Sequence, residues 1–276
     1  MKAHPSINLP ETREVWPQGK TPFASSEDGD FPTLTLYLPS EEYRTGDSVL
    51  LLPGGGYGLV STAKEGHRPA QFLSSHGIAA AVLEYRHSPQ RHPVPLLDAQ
   101  RGLRHLRAFA EEHGLNLDRV GVLGFSAGGH LAGSLMTQPE VKEGRVGDAL
   151  DKVSCRPDFG ALLYPVVSFV ADYAHTGSCR NLLGESPNPE LAATLSIERA
   201  VTPTTPPAFI VHTQTDHAVP VQNALALADA LVEHGVPTEF HMYPKTPNDK
   251  HGFGMGANHP WCLALLDWLK RGCGAH

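Results

Sequence analysis

The sequence predicts an α/β fold in which a mostly parallel central sheet is covered by helices on both faces. Short apolar stretches alternate with stretches of helical periodicity almost throughout the chain, the pattern of successive strand and helix units. The chain has 276 residues, of which 41% are hydrophobic, so it is long enough to bury a sizeable core. We expect a polar, proline-dotted arm over residues 1–30 that lies on the domain edge and adds nothing to the core. One domain over residues 31–276 follows, with an insertion at about 166–202.

Strands are predicted at two kinds of stretch. Residues 33–38 and 238–243 alternate polar and apolar side chains, as half-buried strands do. The other strands are short, mainly apolar runs of the kind found in sheets that are buried on both faces. These are Ser48–Leu52, Ile78–Tyr85, Val120–Leu123, Phe159–Tyr164 and Ala208–Thr213.

Helices are predicted where apolar residues recur every three or four positions and where glycine or proline marks an end. The stretch Val94–His113 has such a stripe, and its residues Arg101, Arg104 and Arg107 are assigned to a solvated face. The remaining predicted helices are Glu65–Ser75, Ala127–Met136, Pro189–Arg199, Val221–His234 and Pro260–Lys270.

Charge and hydropathy exclude several classes of protein. The net charge is -7 and the isoelectric point is near 6.1, which argues against a nucleic-acid or anionic-membrane partner. The chain contains no apolar run of the length that a membrane-spanning helix needs. Residues 1–8 lack the apolar core of a signal peptide, so a cytoplasmic location is the default expectation, although a processed form would look the same.

The cysteine pattern gives no indication of a metal site. Cys155, Cys179, Cys262 and Cys273 form no Cys-x-x-Cys pair and share no zinc-like spacing with histidine. We therefore expect neither a metal nor a cofactor. A disulfide between Cys155 and Cys179 is left open.

The motif most indicative of function is Gly-Phe-Ser-Ala-Gly at residues 124–128. A strand precedes this sequence and a helix of small residues follows it, so Ser126 is predicted on a sharp turn that exposes its Oγ. The helix N-terminus would point N–H groups at the site where negative charge develops. In a chain with 27 glycines this five-residue motif alone is weak evidence for a catalytic serine. The alternative is a structural turn whose serine only caps the helix. The flanking strand and helix favour a nucleophile.

Three consecutive glycines follow Pro53 directly after a buried strand. Glycines let the backbone turn there and leave its N–H groups unobstructed, which favours an oxyanion loop. The N–H of Ala127 and that of Gly55 or Gly56 are the expected donors. The spacing fits neither of the two common glycine-rich phosphate loops. Tyr57, next to the glycines, is a candidate substrate contact whose alternative role is packing.

A nucleophilic serine needs a base, and the base needs an acid that orients it. Asp216 follows the strand that ends at residue 213, where a carboxylate is well placed to accept a proton from an imidazole. Its alternative role is to cap the helix predicted from Val221. Less suitable placements belong to Asp158, Asp172, Asp229 and Asp249.

The histidine should come after the last strand. His251 does so, and Gly252 leaves room for the ring to reach over the sheet. His241 lies within a predicted strand and His259 near a helix start, so structural roles suit them better. His130 lies on the helix after Ser126 and is expected to face that helix's packing surface.

The motifs Pro53–Tyr57, Gly124–Ala132, Asp216–Pro220 and His251–Phe253 together resemble the α/β-hydrolase superfamily over about residues 30–272. They look most like its serine esterase branch of acetyl xylan esterases, bacterial feruloyl esterases and dienelactone-hydrolase-like proteins. In that branch the glycine loop commonly begins with proline, as here. This chain departs from the branch in the loop Lys245–Lys250, which is longer before the histidine. A dienelactone hydrolase proper would carry cysteine where Ser126 stands.

The resemblance implies an α/β-hydrolase fold and a serine esterase that works through an acyl-enzyme, with Ser126, Asp216 and His251 as its triad. It further implies short, acetyl-type esters of sugars or aryl alcohols as substrates. The expected partner is therefore a small-molecule or carbohydrate ester, and neither a nucleic acid nor a membrane. Alternatives are an amide hydrolase of the same fold, of the arylformamidase type, and a catalytically silent binding protein. The oligomeric state stays open.

Overall fold

The computed structural model describes residues 9–24, 31–245, 251–252 and 259–274. Over these residues the chain forms an eight-stranded sheet in the order β1-β2-β4-β3-β5-β6-β7-β8. The first two strands are antiparallel to their neighbours, and every other pairing is parallel. The strands are β1 Glu11–Glu14, β2 Thr33–Tyr37, β3 Ser48–Leu52, β4 Ala79–Glu84, β5 Val120–Phe125, β6 Gly160–Leu163, β7 Ala208–Thr213 and β8 Thr238–Tyr243. The prediction of a mostly parallel sheet is confirmed.

Helices cover the sheet on both faces. In the described part of the chain they are α1 Arg68–Ser75, α2 Val94–Glu112, α3 Ala127–Thr137, α4 Thr176–Leu183, α5 Pro189–Thr194, α6 Ile197–Ala200, α7 Gln222–Glu233 and α8 Pro260–Lys270. One core cluster joins the sheet to α2, α3 and α7, and the other joins the opposite face to α1 and α8. Among the described helices, none is both long and apolar enough to cross a membrane.

The double covering explains why the central strands are apolar along their whole length. In β3, Leu50 and Leu52 belong to the first core cluster, whereas Val49 and Leu51 belong to the second. Successive side chains of a strand point to opposite faces, so both sets must be apolar when both faces are buried. The parallel arrangement brings the carboxyl ends of β3, β5, β7 and β8 to one edge of the sheet.

The N-terminal arm contributes more to the fold than the sequence predicted. Its residues Glu11–Glu14 form β1, paired with β2, and Val15 and Trp16 are buried in the first core cluster. The strand was not predicted because Glu-Thr-Arg-Glu shows no apolar alternation. Charged residues suit an edge strand, whose formation depends on its partner rather than on its own hydrophobicity.

The predicted solvated face of α2 is wrong for two of its arginines. The side chains of Arg101 and Arg104 are only 1% and 3% exposed. Arg101 pairs with Asp148 and Asp151, and Arg104 pairs with Glu140. These acids lie in the segment after α3, which folds back over α2, so the arginines are covered by carboxylates distant in sequence.

Two predicted helices differ in detail, and a further helix was not predicted. The helix predicted from Glu65 begins instead with a wide turn, Thr62–His67, that runs into α1. The predicted helix Pro189–Arg199 is two short helices, α5 and α6. Helix α4 was not predicted, because its sequence, Thr-Gly-Ser-Cys-Arg-Asn-Leu-Leu, has few apolar positions.

All four cysteines are free thiols, so Cys155 and Cys179 form no disulfide.

Candidate active site

Ser126 lies on a strained turn between β5 and α3. Its backbone has φ 54° and ψ -120°, a conformation that non-glycine residues rarely adopt. Three hydrogen bonds hold it there: its N–H donates to Leu163 O, and its carbonyl accepts from the N–H groups of His130 and Val166. The surrounding chain therefore fixes the direction of the Ser126 side chain, which is nearly buried.

The glycines on either side of Ser126 are required by close backbone contacts. A Cβ on Gly124 would lie 2.1 Å from Gly128 O, and one on Gly128 would lie 2.0 Å from Leu52 O. Strand β5, helix α3 and the end of β3 therefore pass too close to one another for any side chain at these positions. This close passage brings the loop after β3 up against Ser126.

The structure brings together Ser126, Asp216 and His251, as the sequence predicted. The Nε2 of His251 lies 2.8 Å from Ser126 Oγ, and its Nδ1 lies 2.7 Å from Asp216 Oδ2. With Nδ1–H donated to the carboxylate, Nε2 is free to accept the serine proton. Phe253 and Gly254, which follow the histidine, and residues 246–250 before it lie outside the described residues.

Asp216 is held as an anion by its surroundings. Burial alone would raise the pKa of its carboxyl group. The adjacent His212 and hydrogen bonds from His251 and the Val219 N–H outweigh that effect, and the net pKa is well below its usual range. Oδ1 accepts from the N–H groups of Ala218 and Val219, each at 3.0 Å, which leaves Oδ2 for His251.

The predicted oxyanion loop lies beside the serine. A Cβ on Gly54 would lie 2.9 Å from Ser126 Cβ. Gly55 and Gly56 both have positive φ, 135° and 64°, and a Cβ on Gly55 would lie 2.1 Å from Leu59 O. Within the described residues, the N–H groups of Gly55, Gly56 and Ala127 donate to no protein acceptor. Donors that have no partner beside a nucleophile are what an oxyanion hole requires.

The expected substrate contact of Tyr57 needs correction. Its side chain is 1% exposed and packs in the core. The Tyr57 hydroxyl donates to His130 Nδ1 over 2.8 Å, and His130 Nε2 donates to Leu195 O, also over 2.8 Å. The Tyr57 ring therefore faces inward and packs in the core, which is the alternative role that the sequence left open for it. Its neighbour in this bond, His130, faces the packing surface as predicted.

Helix α4 packs against the oxyanion loop. The Nδ2 of Asn181 donates to Gly56 O over 2.8 Å, and its side chain also borders Gly58. The N-terminus of α4 is capped by His175, whose Nδ1 accepts from the Ser178 N–H at 3.1 Å. Burial lowers the pKa of the His175 imidazole, which favours the neutral form that this cap requires.

Sequence reasoning missed Glu65, a half-buried acid beside the oxyanion loop. Its carboxylate accepts from the Gly54 N–H and from the Tyr164 hydroxyl, both at 2.8 Å. The signal available in the sequence was an acidic residue nine positions after the glycine triplet, at the start of a predicted helix. That signal does not predict the wide turn that brings the carboxylate back to Gly54. Among the described residues, no cluster of three or more His, Cys, Asp or Glu side chains is arranged to hold a metal ion.

Comparison with known proteins supports this description. The model of the BD-FAE family matches residues 34–231. An acetyl ester-xyloside bifunctional hydrolase from Caldicellulosiruptor lactoaceticus has a similar structure, with TM-score 0.87 and 38% identity over 96% of this chain and 97% of that one. MGS-M1, an alpha/beta hydrolase enzyme from a deep-sea metagenome library, superposes with TM-score 0.70 at 25% identity, covering 99% of this chain and 100% of that one. The predicted α/β-hydrolase fold is thereby confirmed.

Two curated relatives are longer than this chain. An acetylxylan esterase from Xylanibacter ruminicola is 33% identical over 89% of this chain and 49% of its own length. An endo-1,4-beta-xylanase B from Butyrivibrio fibrisolvens is 33% identical over 89% of this chain and 39% of its own length. The chain thus spans less than half the length of each of these two relatives.

Proposed function

This chain belongs to the BD-FAE family, and we propose that it is a serine carboxylic ester hydrolase that acts through an acyl-enzyme. The observation that carries the proposal is the relay from Ser126 Oγ through His251 to Asp216, with hydrogen bonds of 2.8 and 2.7 Å. A serine within reach of an oriented imidazole is the arrangement that nucleophilic acyl transfer requires.

Acylation begins when Ser126 Oγ attacks the ester carbonyl and His251 Nε2 takes the serine proton. Asp216 accepts the Nδ1 hydrogen bond and stabilises the imidazolium that forms. The oxyanion of the tetrahedral intermediate accepts hydrogen bonds from Ala127 N–H and from Gly55 or Gly56 N–H. Loss of one such donor typically raises the barrier by about 3 kcal/mol. The intermediate collapses as His251 returns the proton to the leaving alcohol.

Deacylation repeats these steps with water. His251 removes a proton from the water as it attacks the acyl carbonyl, and the same N–H groups hold the second oxyanion. The proton then returns to Ser126 Oγ, and the acid is released. Water replaces the alcohol, so the net reaction is hydrolysis of one ester bond.

We propose short acyl groups, acetate above all, on a sugar or aryl alcohol as the substrate class. Two relatives in the comparisons carry acetyl esterase names, an acetylxylan esterase and an acetyl ester-xyloside hydrolase. The segment between β6 and β7, residues 164–207, supports the proposal. Its helices have eight residues or fewer, so the described chain supplies no long apolar lid there for a fatty acyl chain.

The test combines a covalent probe with a substrate series. We expect a fluorophosphonate to label Ser126, and Ser126→Ala to abolish both labelling and turnover of p-nitrophenyl acetate. Asp216→Asn should retain labelling at a reduced rate, because the imidazole loses its orienting carboxylate, and turnover should fall by about 10⁴-fold. Near-normal turnover by Ser126→Ala would overturn the proposal.

The substrate class is tested by side-by-side assays. We expect p-nitrophenyl esters to be turned over fastest at acetate, with a steady decline toward palmitate. Acetylated xylan, methyl ferulate and aryl acetates then separate carbohydrate from aryl preference. N-formylkynurenine tests the formamidase alternative, which uses the same catalytic groups. A preference for long acyl chains would overturn the short-acyl assignment.

A further inference from the structure

We propose that Glu65 is a positioning residue of the active site. One oxygen of its carboxylate holds the oxyanion loop, and the other holds Tyr164, on which the His251 ring packs. The inference rests on the proposed serine esterase function. It assigns to Glu65 no contact with substrate. Its role is to fix the groups that make such contacts.

Each carboxylate oxygen of Glu65 serves a different part of the site. Oε2 accepts from the N–H of Gly54, the first glycine of the oxyanion loop, over 2.8 Å. Oε1 accepts from the hydroxyl of Tyr164, also over 2.8 Å. Hydrogen bonds to a carboxylate are about twice as strong as those between neutral groups, so both contacts restrain their partners well.

Tyr164 carries this restraint to the histidine. Its ring meets the imidazole of His251 edge to face, with the centroids 5.1 Å apart and the planes at 80°. The next residue, Gly252, packs over the same groups: a Cβ there would lie 3.5 Å from the Tyr164 hydroxyl and 3.7 Å from Glu65 Oε1. Glu65 and Tyr164 therefore form the surface on which His251 and Gly252 rest.

The backbone is shaped to deliver the carboxylate to this point. Ser61 N–H donates to Gly54 O over 2.9 Å, and Glu65 N–H donates to Ser61 O over 3.0 Å. Glu65 lies in the wide helical turn Thr62–His67. Such turns are rare in proteins as a whole, and those that occur are often at functional sites. Tyr164 has φ 39°, a second strained residue at the same place.

The donors of Glu65 are a backbone N–H and a phenol, not a cation. Within the described residues, the carboxylate makes no ion pair. Burial and the charge of Glu65 keep the pKa of Tyr164 well above its usual range, so the phenol remains a hydrogen-bond donor. The carboxylate of Glu65 is therefore not used in a surface ion pair, which would add little stability. Its two hydrogen bonds instead connect the oxyanion loop to Tyr164 and so to the histidine.

The test compares Glu65→Ala with Glu65→Gln. The amide of glutamine accepts from Gly54 N–H and donates to the Tyr164 oxygen, so it preserves both contacts without the charge. We expect kcat for p-nitrophenyl acetate to fall about 10- to 100-fold in Glu65→Ala, because small displacements of catalytic groups are costly. In Glu65→Gln we expect kcat to remain within about threefold of the parent. KM should change little in either variant, because substrate does not touch the carboxylate.

Two controls separate positioning from folding. Rates are expressed per active site titrated with a fluorophosphonate, and melting temperature is recorded for every variant. Glu140→Ala removes a carboxylate that pairs with Arg104 and Arg145, and should lower stability with kcat unchanged. A parent-like kcat per site in Glu65→Ala would overturn the proposal, as would a Glu65→Gln variant as slow as Glu65→Ala. A parent enzyme that forms no fluorophosphonate adduct would instead overturn the proposed function, and this inference with it.

Discussion

The indole N–H of Trp16 donates to Asp98 Oδ1 over 2.7 Å, which connects the N-terminal arm to the core beside α2. The same carboxylate accepts from Arg86, whose guanidinium lies 2.7 Å from Oδ1. Both side chains of this ion pair are buried, at 3% and 0% exposure. One buried carboxylate therefore joins the arm, the loop after β4 and the start of α2.

We expect Asp98→Ala to lower the free energy of unfolding by about 3–5 kcal/mol, because Arg86 and the Trp16 N–H would lose a shared buried partner. Urea denaturation measures the loss. The exposed pair Arg271–Asp267 provides the control, since Asp267→Ala should cost at most about 1 kcal/mol. Equal losses in the two variants would contradict this account of the ion pair.

The buried imidazole of His130 predicts a pH dependence of stability. Burial lowers the pKa of His130 from 6.5 to about 4. Between these two pH values the imidazole is neutral in the folded protein but binds a proton in the unfolded chain. Its contribution is fully present above about pH 6.5 and is lost as the pH falls from there toward 4. The loss amounts to about 3 kcal/mol.

The measurement is the free energy of unfolding at several pH values between 4 and 7 in the parent and in His130→Gln. The variant should show a shallower slope, and His76→Gln, at an exposed position, should not. His92 is half-buried and also has a lowered pKa, and it is present in both proteins. Identical slopes in parent and His130→Gln would rule out this assignment.

Asn181 holds the oxyanion loop from the outside, through its bond to Gly56 O. We expect Asn181→Ala to lower kcat by about tenfold or more, since the Gly56 carbonyl would lose a contact that restrains the loop carrying the proposed oxyanion donors. Steady-state kinetics with p-nitrophenyl acetate measure the effect.

The control for Asn181 is Asn188, which caps α5 in the same segment between β6 and β7. Asn188→Ala should cost about 1 kcal/mol of stability and leave kcat unchanged. If both asparagine variants lost activity equally, the effect would belong to the whole segment rather than to the bond with Gly56.

The glycine at 128 is predicted to be indispensable. A Cβ at this position would lie 2.0 Å from Leu52 O and 2.5 Å from Pro53 O, both of them backbone atoms. We expect Gly128→Ala to cost about 3 kcal/mol or more, because strand and helix must separate. Gly235→Ala is the control: it has φ 68° and open space around it, so only backbone strain of about 1–2 kcal/mol applies. Chemical denaturation distinguishes the two, and similar losses would contradict the close-packing argument.

Much of the sheet was predictable because both of its faces are buried. Continuous apolar runs predicted β3 and β7 with the residue limits that the structure shows, and alternation did the same for β8. The positions of Ser126, Asp216 and His251 followed from the order of strands, since side chains after neighbouring parallel strands meet at one edge.

Three of the missed features depend on partners that are distant in sequence. Strand β1 exists because β2 offers it an edge, and Arg101 is buried because Asp148 and Asp151 cover it. Likewise, the inward direction of Tyr57, in the loop after β3, is set by His130 on helix α3. Local periodicity contains no information about such pairings, which form only when the chain has folded.

The bond between Asn181 and Gly56 means that the segment between β6 and β7 and the proposed oxyanion loop are not independent of each other. Exchanging residues 164–207 for those of a relative, in order to change substrate range, would also remove the support of an oxyanion donor. Grafted segments that bring no amide to this position should bind new esters yet turn them over slowly. Changes to substrate range are therefore best begun at other side chains of the segment, with Asn181 retained.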